Sequence, residues 1–152
     1  MQGNLNTTEH VDGMLAKATN EMYAMNILRT HGMSTESLFE VFKAKIVSRL
    51  LYASPAWWGL SNQHDRNRID QFLRRAIKLN YYPANGRMFE ELCAEADRNL
   101  LKNITQNPSH VLHRFLPKIK EHHHNLRKRG NEYTLPAKDN RLFISRTLFS
   151  NL

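Results

Sequence analysis

A chain of 152 residues, 41% hydrophobic and 24% charged, is long enough for one domain that buries about 70% of its unfolded surface. Its apolar runs stop well short of the roughly 18 consecutive residues of a membrane span, and its single cysteine, Cys93, excludes an internal disulfide framework and a cysteine-rich zinc knuckle. The net charge of +8 is unevenly placed: residues 1–60 set five Lys/Arg against five Asp/Glu, whereas residues 61–152 set seventeen against nine.

A neutral first part followed by a basic second part points to a polyanionic partner, nucleic acid first. A basic surface that merely solubilises the chain is the plainer alternative. The opening MQGNLNTTEHVDG lacks the basic and then apolar pattern of a secretory signal, so a nuclear or cytoplasmic protein with no membrane partner is expected.

Thr7 or Thr8 caps a first predicted helix, with Glu9 and Asp12 at the positive end of its dipole. Val11, Met14, Leu15, Ala18, Met22 and Met25 fall on one stripe at helical spacing. Arg29 and His31 precede Gly32, a residue suited to end the helix. Three methionines on a stripe suit an adaptable groove, but core packing is the ordinary use.

A second helix starts at Ser34 or Thr35 and carries Leu38, Phe39, Val41, Phe42, Ile46, Val47, Leu50 and Leu51. These cover most of its circumference, which places it inside a bundle. In LLYASPAWWG the missing amide of Pro55 predicts a break at Ala53–Pro55. A short turn at Ala56–Trp58 follows, and Gly59 releases the chain. Tyr52, Pro55, Trp57 and Trp58 are assigned to the structural core, where Trp→Ala costs roughly 3–5 kcal/mol. One tryptophan acting as a stacking platform for bases is the rival use.

The third helix, HDRNRIDQFLRRAIKLNYY, is two-faced. Ile69, Phe72, Leu73, Ala76, Ile77 and Leu79 form one arc, and Arg68, Arg74, Arg75 and Lys78 form the opposite one. A basic arc of this kind can track phosphates, each neutralised phosphate releasing counterions. A solvated helix face has the same pattern.

Pro83 and Asn85-Gly86 mark a turn before a fourth helix, roughly residues 88–105. Glu90, Glu91, Glu95 and Asp97 lie early in it and Arg98 and Lys102 late, with Cys93 as a small buried hydrophobe. Pro108 opens a further helix that turns Val111, Leu112 and Phe115 inward, and Pro117 limits it. The last thirty residues show little helical period and hold a second basic cluster, Arg127, Lys128 and Arg129. His122–His124 are adjacent, cannot easily converge on one ion and have no acidic or cysteine shell, so no metal is expected. No P-loop, Gly-x-Ser-x-Gly or His-Glu-x-x-His motif occurs, and no catalytic residue or cofactor is expected.

Taken in order, several segments resemble the C-terminal part of a non-LTR (LINE-type, jockey-like) retrotransposon reverse transcriptase. His10, Val11, Lys17, Ala18 and Tyr23 resemble the pattern of the first helix after the palm. Leu50, Tyr52, Ala53, Pro55 and Trp57 are similar to a Leu-x-Tyr-Ala-x-Pro-x-Trp segment. DQFLRRAIKL resembles a helix with Phe and paired basic residues, and Asn125-Leu126-Arg127, Leu135-Pro136 and Asp139 through Arg146 resemble the closing segment. The resemblance spans roughly residues 9–150. It implies a helical thumb that grips template and primer, and a palm as the native docking partner.

The aspartate hairpin of that family is absent here. Metal-dependent polymerisation needs carboxylates holding the metals, so this chain is not expected to synthesise DNA. A truncated element copy, a gene-model fragment and a host gene that kept the thumb fit this pattern equally. The expected fold is an all-α bundle of four to six helices. Residues 7–82 would form the thumb-like bundle, 83–120 added helices, and 121–152 a less regular basic tail.

Overall fold

The computed structural model describes residues 7–119 and 133–150. The fold is all-α, and an isolated bridge between Ile119 and Tyr133 is the sole β pairing among the described residues. The helices are α1 (Thr7–Thr30), α2 (Thr35–Val41), α3 (Ser48–Leu50), α4 (Ser54–Trp57), α5 (Gln63–Lys78), α6 (Phe89–Gln106) and α7 (Phe143–Ser150). A π-helical stretch, Phe42–Val47, joins α2 to α3.

The chain divides into two compact units, Met1–Ser54 with Ser61–Cys93, and Pro55–Leu60 with Ala94–Leu152. The expected segments break elsewhere. Residues 83–93 group with the first unit, and the tryptophan segment 55–60 groups with the second.

In the first unit α1 packs on α2, α3 and α5. Its stripe Val11, Met14, Ala18, Met22 and Met25 is buried. Gly32, at φ +88°, closes the helix: Gly32 N–H donates to the Arg29 carbonyl at 3.0 Å and Met33 N–H to Leu28 at 3.1 Å. Both bonds satisfy last-turn carbonyls that the helix itself leaves open. Ser34 caps α2 by accepting from the Ser37 N–H.

The expected regular second helix widens into a π turn. Leu38, Phe42, Ile46 and Leu50 are buried and spaced by four. In an α-helix such a stripe drifts about 40° per step; a π turn takes that drift out and keeps the four in line. Phe42 lies in this line and packs on Phe72 and Tyr82, at ring-centroid distances of 6.4 and 5.5 Å.

The break after α3 comes earlier than the expected Ala53–Pro55: the chain leaves the helix at Leu51–Ala53, and Ser54 and Pro55 already belong to α4. Leu51 is the C-cap, Ala53 adopts φ +52°, and Pro55 sits in the first turn of α4, where its missing N–H costs no helical bond. Tyr52 corrects the core assignment: its side chain is 77% exposed. It lies past the last helical residue and off the 38–42–46–50 line, so the turn carries it outward. Pro55 is half-buried, while Trp57 and Trp58 are buried and meet edge to face with centroids 6.0 Å apart.

The second unit holds two further differences. Residues 107–116 form tight turns and one 3-10 turn, His113–Phe115, where an α-helix was expected, so Val111 is 73% and Phe115 55% exposed. Asn107 Oδ1 accepts the Ser109 N–H, and His110 Nδ1 accepts the Leu112 N–H. Side-chain acceptors thus take amides that a helix would need. The aperiodic closing segment contains α7, with Ser145, Thr147 and Leu148 buried.

Arg146 explains the placement of α7. Its Nε meets Asp97 Oδ2 at 2.8 Å and its Nη2 meets Oδ1 at 3.1 Å, a bidentate fork. Nη2 also donates to the Pro55 carbonyl at 3.2 Å, and Nη1 to Asn140 at 3.4 Å. Gly59 lies against this fork. A Cβ there would stand 2.1 Å from Arg146 Nη1 and 2.5 Å from the Arg141 carbonyl oxygen. Gly59 serves close approach.

Candidate nucleic-acid interface

The basic arc belongs to α5. Asn62 caps this helix by accepting the Asp65 N–H at 2.8 Å. Asp65 is fully buried and accepts from Thr8 Oγ1 at 2.8 Å, Asn62 Nδ2 at 2.9 Å and Arg68 Nη1 at 3.1 Å. At the other end Asn80, at φ +54°, closes the helix, with Asn80 N–H donating to Ile77 and Tyr81 N–H to Ala76. Ile69, Phe72, Leu73 and Ala76 face the core.

The four cations of the arc divide. Arg68 Nη2 lies 2.6 Å from Asp12 Oδ1, while its Nη1 reaches Asp65. The hydrogen bond to Asp12, aided by Asp65, holds the Arg68 guanidinium above its ordinary value. Arg68 thus joins α1 to α5 and leaves the phosphate set, because two carboxylates already hold it. Arg74, Arg75 and Lys78 are exposed, and among the described residues no carboxylate pairs with them. Spacings of three and four put Lys78 beside both arginines on one side of the last two turns.

Sequence reasoning missed Arg29. Its Nη1 donates to the Leu79 carbonyl at 2.8 Å and its Nη2 to Asn26 Oδ1 at 2.9 Å, with the guanidinium 4.8 Å from the Tyr81 ring centre. It therefore satisfies an open carbonyl at the end of α5 and brings a further positive charge beside Arg75. Arg29, Arg75 and the exposed Tyr23 line one hollow of about 310 Å³. The signal lay only in Arg29 being a last-turn cation, which does not reveal the helix it serves. The hollow can accept an anion flanked by an aromatic ring.

Arg127, Lys128 and Arg129 lie outside the described residues, as do His122–His124. Among the described residues no three His, Cys, Asp or Glu side chains gather as metal ligands would. No helix there is long and apolar enough to cross a membrane. No protein-family model matches the chain, and comparison with curated proteins and with solved structures returns no match.

Proposed function

We propose that this chain is a non-catalytic nucleic-acid-binding module of the reverse-transcriptase thumb kind, gripping an RNA–DNA template–primer through the last two turns of α5. The reading rests above all on Arg74, Arg75 and Lys78, three exposed cations that pair with no carboxylate among the described residues and lie opposite a buried apolar arc. The charge excess after residue 60 adds to it, because neutralised phosphates release counterions and drive binding. The module acts in the nucleus or cytoplasm, carries no catalytic group or cofactor, and docks natively on a polymerase palm.

The test is binding of the purified chain to a labelled RNA–DNA primer–template across a salt series. A log–log slope of several units is expected, about 0.9 per phosphate contact on B-DNA, with no primer extension in Mg²⁺. A helical, folded chain that binds nothing at low salt would contradict the reading.

A second reading is a protein-docking bundle or a decayed element copy with incidental charge. The exposed Val111, Phe115, Ile119 and Leu142 of the second unit favour docking. Concentration-dependent self-association together with absent nucleic-acid binding would support it.

A further inference from the structure

On the first unit a groove of about 790 Å³ runs between α1 and residues 44–52. Its α1 wall carries His10, Gly13 and Lys17, and the facing wall carries Lys45, Arg49 and Tyr52. Lys17 and Lys45 oppose one carboxylate, Glu9, among the lining residues, and the charge of Arg49 is balanced by Glu21. Arg49 is held in place by its ion pair with Glu21 at 2.5 Å, and its side chain is still 41% exposed. Tyr52, an exposed ring in the groove lining, fits no core role.

Two features of the backbone serve this groove. Ala44 and Lys45 belong to the π-helical stretch, and local widening of this kind recurs at functional sites. Gly13 lies inside α1, where a glycine is an unfavourable choice. Nothing forces it: a Cβ there would meet nothing within 4 Å, and its φ is not in the left-handed region. The missing side chain leaves the groove wall open.

We propose that this groove takes a single nucleic-acid strand, with a base stacked on Tyr52 and the neighbouring phosphates on Lys17 and Lys45. Sequence-tolerant single-strand sites pair a cationic track with an aromatic platform, and the groove's charge selects a polyanion. The inference rests on the nucleic-acid reading above and adds a second contact: α5 would hold the duplex, and the groove its unpaired overhang.

Fluorescence anisotropy of the full chain tests it, with a labelled single-stranded oligonucleotide and a blunt RNA–DNA duplex as probes. Tyr52→Ala is expected to weaken single-strand binding roughly tenfold, within the range of one lost stacked base, and Tyr52→Phe to restore it. Gly13→Leu should weaken it similarly by filling the groove, while the melting temperature rises because leucine favours helix. Duplex binding should be unchanged in all three. An Arg74/Arg75/Lys78→Ala variant should show the converse, losing duplex binding most.

Unchanged single-strand binding in folded Tyr52→Ala and Gly13→Leu would overturn the groove site and leave the α5 reading standing. A wild-type chain that binds duplex but no single strand would do the same. If it binds neither probe, both readings fail. Capture of an acidic peptide in place of the oligonucleotide would reassign the groove to a protein partner.

Discussion

Arginine is used in opposite ways in the two units. In the second, Arg146 is largely buried and all its described partners are fixed: Asp97, the Pro55 and Asn140 carbonyls, and the close backbone at Gly59. In the first, Arg74 and Arg75 stand exposed on α5. Arg68, on the same helix, belongs with Arg146 in kind, because Asp12 and Asp65 already hold it. A positive net charge therefore counts cations without saying which are available. Partnership with a buried carboxylate separates the structural arginine from the one that can meet a phosphate.

Removing one partner of a part-buried pair leaves an uncompensated charge, so the largest effect is expected from Asp97→Ala, a loss of about 3 kcal/mol read by urea unfolding. A loss below about 1 kcal/mol would place Arg146 among ordinary surface ion pairs. Gly59→Ala should follow at about 2 kcal/mol, since backbone oxygens near its Cβ position cannot swing aside. Arg68→Ala should cost about 1–2 kcal/mol through lost charge-assisted bonds, with nucleic-acid binding unaffected.

The smallest effect is a pH dependence in the first unit. Burial pushes the Tyr82 phenol above its ordinary value, so the folded state prefers the protonated ring. Its stabilising contribution is complete below the ordinary tyrosine value and is lost as pH climbs from there through the raised value of the folded state. Tyr82→Phe should flatten that alkaline limb. It should also cost about 1 kcal/mol at neutral pH through the lost bond to the Arg87 carbonyl. An unchanged limb would contradict the burial account.

Local features were legible in the sequence. Gly32 as a helix stop, Ser34 as a cap and the stripe from Val11 to Met25 each depend on neighbours within a few residues. The basic arc of α5 was legible for the same reason, because helical spacing alone defines it. What it lacked was the third dimension. Asp12 and Asp65 reach Arg68 from two helices, and Asp97 lies 49 residues before Arg146, so no local pattern announces either pairing. Tyr52 was misplaced because apolar neighbours suggested a core run, whereas one left-handed residue, Ala53, turns the chain beside it. The π turn was hidden in a spacing of four, which a continuous α-helix and a widened one share until packing decides.

The division of cations on α5 is the central claim, and the salt dependence of RNA–DNA hybrid binding tests it most directly. Wild type would be compared with Arg68→Ala and with Arg74/Arg75/Lys78→Ala. The triple variant should lower the log–log slope by about 2–3 units, at about 0.9 per phosphate contact, while its stability stays within about 0.5 kcal/mol of wild type. Arg68→Ala should do the reverse, keeping the slope and losing stability. An Arg68→Ala slope as flat as that of the triple variant, or a triple variant that binds like wild type, would contradict the account.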